Sequence, residues 1–133
     1  MGLVMEFDPT NNILRGTLEG RVTDAILLGS YATLVRYAQS HPPCRGLWDV
    51  SDVTEFEVSG HALRQVERLP PIISTGYMRV IVAPRDFLFG MMRMLQILSE
   101  ESRPELHVVR TMGEAYRLLG VESPEFTPIS IPF

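Results

Sequence analysis

The stretch Met78 to Ala83, within "MRVIVAP", carries a single charge in an otherwise apolar run. A run this short with no polar alternation reads as a strand covered on both faces, and such strands belong to parallel sheets flanked by helices. Arg45 to Val50, apolar at its centre, reads as another buried strand ending at Asp49 or Val50, and Leu106 to Arg110 as the last one. The rest of the chain has to be arranged around these three.

Helical patterns fill the gaps between them. Gly60 to Leu69 places Ala62, Leu63, Val66 and Leu69 on one face before Pro70-Pro71 ends it. A longer helix starts around Arg85 and runs past Leu98. After the last strand, "TMGE" sets Thr111 and Glu114 at the spacing of a capping box, and Gly120 closes the helix that follows. Upstream, Leu3 to Phe7 and Ile13 to Leu18 alternate apolar and polar residues around the turn formers Asp8 to Asn12, which predicts a hairpin. Thr23 or Asp24 caps a helix over about residues 24–40, with Leu27, Leu28, Tyr31, Leu34, Val35 and Ala38 at helical spacing. The predicted order is β-β-α-β-α-β-α-β-α. This is an α/β fold with a mixed, mostly parallel five-stranded sheet and four helices. The domain is expected over residues 1–121, and 122–133 as an extended, proline-rich tail.

At 133 residues the chain accommodates one domain with a core, and 45% apolar against 21% charged residues fits a globular one. The net charge is −4 and all twelve basic residues are arginines that form no run, so nucleic acid is not an expected partner. No segment approaches the roughly 20 apolar residues of a membrane span, and the opening "MGLVMEFDPTNN" lacks the basic and apolar regions of a signal peptide. The single cysteine, Cys44, fits a reduced, cytoplasmic setting.

The segment from Asp49 to Gly60, "DVSDVTEFEVSG", stands at the carboxyl end of a predicted strand, where open sheets concentrate function. Its carboxylates Asp49, Asp52, Glu55 and Glu57 read as a solvated acidic loop, and no metal site is expected because Asp49 is followed at the second position by Ser51 instead of a further Asp. Ser59 and His61, two residues apart across a helix start, point in different directions, and no catalytic residue is assigned. Glycine-rich phosphate loops are missing from the sequence, so no cofactor is expected. Ser59 reads as the N-cap of the second helix. A phosphate there would meet the free N–H groups of that helix start.

These residues resemble the strand-loop-helix signature of STAS domains, the anti-sigma-factor-antagonist family. Asp49, Val50, Ser51, Val53 and the Ser59-Gly60 pair match it, whereas Glu57 and Val58 stand where that family has Asp and Ser. "RVIVAPRDFLFGMMRMLQIL" with "LHVVRTMGEAYRLLG" is similar to the SpoIIAA-like branch, for which association with lipids or membranes has been considered. The resemblance implies the same fold over nearly the whole chain and makes Ser59 the counterpart of the family's phosphorylated serine. Asp49, Ser51, Asp52, Glu57 and Gly60 become a candidate interaction loop.

The third helix carries more apolar surface than covering a sheet requires. Phe87, Met91, Met94, Leu95 and Leu98 form one predicted face, Leu88 and Met92 widen it, and Phe89 lies toward the polar side. A broad helix of this kind can simply be packed on both sides. Its surplus, with Phe87, Phe89, Met91, Met92, Met94 and Leu95, is otherwise a surface for an apolar ligand or a partner. Ile129, Ile131 and Phe133 alternate in the tail, and a two-fold homodimer is a further candidate.

The expectation is a non-enzymatic, cytoplasmic regulatory or protein-binding module of STAS type, switched at Ser59. The alternative is a protein that binds lipid or another apolar small molecule, with peripheral membrane association left open. A small hydrolase or phosphotransfer enzyme built on Asp49 and Ser59 is the least supported reading.

Overall fold

The structure, a computed structural model, describes residues 2–101 and 104–130. In chain order the elements are β1 (Leu3–Asp8), β2 (Ile13–Thr23), α1 (Asp24–Gln39), β3 (Arg45–Glu57), α2 (Gly60–Arg68), β4 (Arg79–Val82), α3 (Asp86–Leu98), β5 (Leu106–Val109), α4 (Met112–Leu119) and β6 (Thr127–Ile129). They build one sheet in the order β5-β4-β3-β2-β1-β6. Strands β2 to β5 run parallel, and β1 is antiparallel to both β2 and β6.

This topology dictates the layers. Each of the crossovers β2-α1-β3, β3-α2-β4 and β4-α3-β5 steps one strand in the same direction, so right-handed connections put α1, α2 and α3 on the same face. On that face Val50, Val53, Ile81 and Leu106 pack with Leu88 and Met92 of α3 and with Ile26 and Leu27 of α1. The other face belongs to α4, whose Ala115 and Leu119 meet Ile13, Leu47, Val80, Val82 and Val109. Cys44 lies in a third apolar cluster with Leu3, Met5, Leu14, Leu34 and Ile73.

Two expectations need correction. The sheet has six strands, not five, because Thr127–Ile129 pairs with β1 in the register Met5 to Ile129, Glu6 to Pro128 and Phe7 to Thr127. The prolines that argued against pairing are tolerated on an edge strand, where one side of the backbone needs no ladder partner. Packing holds the segment in place: Ile129 joins the cluster around Leu3 and Met5, and the Arg15 guanidinium lies 4.0 Å above the Phe126 ring. Ile131 and Phe133, the rest of the predicted apolar alternation, lie outside the described residues.

The second correction concerns β3, which continues seven residues past Val50 to Glu57. Two register shifts against β2, between Thr17 and Glu19 and between Gly20 and Arg21, each add one residue to β3. Each bulge resets which face the side chains point to. Val50, Val53 and Phe56 therefore reach the same core cluster at intervals of three, where a regular strand would repeat at two. The pairing of β3 with β4 stops at Asp49 opposite Val82, and from there β2 and β3 continue alone as a two-stranded ribbon. The predicted acidic loop is this ribbon.

Among the described residues, no helix is long and apolar enough to cross a membrane. The end of α4 shows a Schellman motif, in which Gly120 (φ 70°) donates to the Arg117 carbonyl and Val121 to that of Tyr116.

Candidate functional site

Between the sheet and the layer formed by α1, α2 and α3 lies a cavity of about 120 Å³. Its floor is set by Trp48 on β3. A Cβ on Gly46 would lie 2.8 Å from Cζ2 of Trp48 and 2.9 Å from Cγ1 of Ile73, and one on Gly16 of the neighbouring strand 3.2 Å from Cε3 of Trp48. Two glycines thus leave room for the indole against the sheet. Gly16, Trp48, Ile81 and Leu106 line the cavity from the strands, Leu27, Tyr31 and Leu34 from α1, Val66 from α2, and Met92 and Leu95 from α3.

Three polar side chains belong to residues that line this largely apolar space. Arg79, the first residue of β4, is 2% exposed and donates from Nη1 to the Ile73 carbonyl at 3.2 Å. Asp49 accepts hydrogen bonds from the Ser51 N–H at 2.9 Å and from its hydroxyl at 2.5 Å. Ser30, on α1 and also 2% exposed, makes no hydrogen bond through its hydroxyl. Its neighbours differ: the Tyr31 hydroxyl donates to the Pro70 carbonyl, and Thr33 returns its hydroxyl to the Gly29 carbonyl at 3.0 Å.

Ser59 sits elsewhere, exposed at the start of α2. Its hydroxyl accepts from the Ala62 N–H at 3.1 Å, as an N-cap does, and donates to Oδ2 of Asp24 at 2.7 Å. The Ser59 N–H donates to Oδ1 of the same carboxylate at 2.7 Å. Asp24 is the first residue of α1, capped by Thr23, so one carboxylate ties two helix starts together. The Ser59 N–H, and then its hydroxyl, hold the Asp24 carboxyl below its ordinary range. Close by, the Arg21 guanidinium donates to Oε2 of Glu57 from Nε at 2.9 Å and Nη2 at 2.5 Å, which lowers the Glu57 carboxyl and raises Arg21.

The predicted interaction loop is therefore dispersed along a strand. Asp49 and Ser51 bond each other beside the end of β4, Asp52 pairs with Glu19 on β2, Glu57 is held by Arg21 near the end of the ribbon, and Gly60 begins α2. Among the described residues, no three His, Cys, Asp or Glu side chains converge as a metal site would require.

The six apolar residues singled out on α3 separate into three groups. Met92 and Leu95 line the cavity, and Met92 is buried. Phe89 and Met91 are half-buried against the core, with the Arg110 guanidinium 4.1 Å above the Phe89 ring. Phe87, at 64% exposed, and Met94 face outward, joined by Ile97 and Leu98. The predicted face of Phe87, Met91, Met94, Leu95 and Leu98 is thus divided between core and solvent, and Leu88, not Phe87, is the buried anchor of the first turn.

Sequence reasoning passed over Ser30, Tyr31, Trp48 and Arg79 as site residues. Two of them carried a signal. Arg79 is the lone charge in a strand covered on both faces, and Ser30 is a polar residue spaced three after Leu27 and four before Leu34 on the inward stripe of α1. No family model matches the chain, and no curated protein matches it either.

Proposed function

We propose that this domain is a non-enzymatic binding module that takes a small apolar molecule into the cavity between the sheet and helices α1, α2 and α3. The observation that carries the reading is the cavity itself, about 120 Å³ with largely apolar walls from all three helices and five strands. Its size sets the class of ligand. An apolar cavity of about 150 Å³ holds benzene, whereas drug-sized ligands need roughly 300–1,000 Å³. The space thus suits a six- or seven-carbon molecule, and an acyl lipid would have to part the helices. Toluene is expected to raise the melting temperature of the full chain in a saturable manner, because a ligand bound only by the folded state stabilises it. A melting temperature that toluene leaves unchanged would sink the reading.

A second reading, a regulatory module that meets a protein partner, is favoured by a separate observation. Phe87, Met94, Ile97 and Leu98 expose large apolar side chains on the outer side of α3, a surface suited to a second copy or another protein. The resemblance of Asp49 to Gly60 to the STAS signature supports the same reading. A phosphate on Ser59 would face the Asp24 carboxylate that now holds the hydroxyl, and repulsion would loosen the link between α1 and α2. Native mass spectrometry of the purified chain tests self-association: a dimer that Ile97→Glu dissolves supports it, and a monomer at all concentrations excludes a second copy as the partner.

A further inference from the structure

We propose that the outer face of α3 docks against the same face of a second copy of this chain, as an antiparallel helix pair that crosses at Gly90. The proposal rests on the protein-partner reading above and names the partner. Gly90 lies inside α3, is exposed, and has no atom within 4 Å of the place a Cβ would take. A glycine there costs helix stability relative to alanine, and no contact within the described residues requires the missing methyl. At about 100° per residue, Gly90 falls between Phe87 and Met94 on one flank and Asp86 and Arg93 on the other. All five are exposed, so the glycine marks the middle of the outer face, where a second backbone can come closest.

The two flanks complement themselves in one arrangement. Phe87 and Met94 are seven residues apart, as are Asp86 and Arg93, and both pairs straddle Gly90. A two-fold axis at Gly90 that reverses the second helix keeps each flank opposite its own kind, so a residue just before the glycine meets one just after it in the other copy. Phe87 of each copy then lies against Met94 of the other, and Asp86 against Arg93. A parallel pair would instead set the apolar flank of one copy against the charged flank of the other. Both charges can take a further partner: the Asp86 side chain is 95% exposed although one of its oxygens accepts from Arg110, and the Arg93 guanidinium keeps further donors after giving one to Gln96. Lipid is the other occupant an apolar helix face attracts, but the carboxylates of Asp86 and Glu100 and the net charge of −4 oppose an anionic membrane surface.

Sedimentation velocity of the full chain over a concentration series tests the proposal, with circular dichroism confirming that each variant folds. The parent is expected to dimerise, and Gly90→Leu to weaken the dimer at least about tenfold, because a large side chain at the crossing holds the helices apart. Asp86→Arg and Arg93→Asp each set like charges against one another and are expected to lose the dimer when studied alone. Mixed in equal amounts they are expected to form a heterodimer, since each copy then supplies the charge the other lacks. A dimer that Ile97→Glu dissolves but Gly90→Leu leaves intact, or charge variants whose mixture associates no better than either alone, would overturn the proposal and leave the outer face of α3 as a partner surface. A parent that is monomeric at every concentration would also overturn it. If that monomer sediments with vesicles of phosphatidylcholine and phosphatidylglycerol, and Ile97→Glu abolishes this, the protein-partner reading falls as well.

Discussion

Two regions of this molecule are built around a serine on one of the helices that cover the sheet, and they treat it in opposite ways. At the junction of α1 and α2, Ser59 is exposed yet fully engaged, accepting from Ala62 and donating twice to Asp24. Beside the cavity between these helices and the sheet, Ser30 is buried and its hydroxyl bonds nothing. Water could have served Ser59 at little cost, whereas Ser30 forgoes water and receives no substitute. The free energy held in a polar group thus depends on where it stands more than on how many bonds it makes. The junction fastens helices together, and the inner side of α1 keeps an unmet demand.

The comparison breaks most severely if the cavity floor is changed. Gly46→Ala would push a methyl to within 3 Å of both Trp48 and Ile73, and relieving the contact would move the indole that floors the cavity. A destabilisation of about 1–3 kcal/mol is expected, visible as a lower urea midpoint with an unchanged slope. A Gly46→Ala protein as stable as the parent would mean that the indole is not held against that glycine.

Paired serine variants sharpen the contrast. Ser59→Ala should cost about 1 kcal/mol through loss of the cap. Ser30→Ala should stabilise the empty protein by up to about 1 kcal/mol, since it removes a buried unpaired hydroxyl and raises helix propensity. Chemical denaturation of both variants checks the opposite signs. If Ser30→Ala were destabilising, its hydroxyl would have a partner in solution and the contrast with Ser59 would disappear.

The smallest effect is confined to acid. Asp24 has its folded pKa depressed below the ordinary 3.8, so its link to Ser59 contributes stability above the ordinary carboxylate range and loses it as pH falls through the lower folded value. Asp24→Asn should therefore unfold with a shallower dependence on pH below about 4, measured as urea midpoints across that window. Ser30→Ala should give a curve parallel to the parent's, because nothing at that position titrates. A parent and an Asp24→Asn protein with identical acid profiles would show that the junction does not depend on the charge.

Much of the architecture was legible because local signals agreed with one another. The apolar run "VIV" in β4, the Pro70-Pro71 stop after α2, and the Thr111, Glu114 and Gly120 framing of α4 each have a single physical reading. The remainder was hidden by features that break a period or depend on distant residues. Bulges converted the spacing of Val50, Val53 and Phe56 into an interval no regular strand has, so the continuation of β3 read as a loop. The inner face of α3 could not be placed because apolar residues nearly surround it, and only the sheet beneath decides between Phe87 and Leu88. The cavity exists through the meeting of three helices whose relative positions no local pattern encodes, although Ser30 and Arg79 marked its polar points in the sequence.

The proline at the centre of β6 bears on how copies of this protein meet in a crowded solution. An open sheet invites another chain to add a strand at its rim, and repetition of that step is a route to fibrous aggregates. On the side beyond β1 the rim is a strand of three residues, and its middle position, Pro128, has no N–H to give. An approaching strand would find no donor at the centre and too short a ladder on either side of it. The segment that closes the fold at its sixth strand thus also blunts the edge it creates.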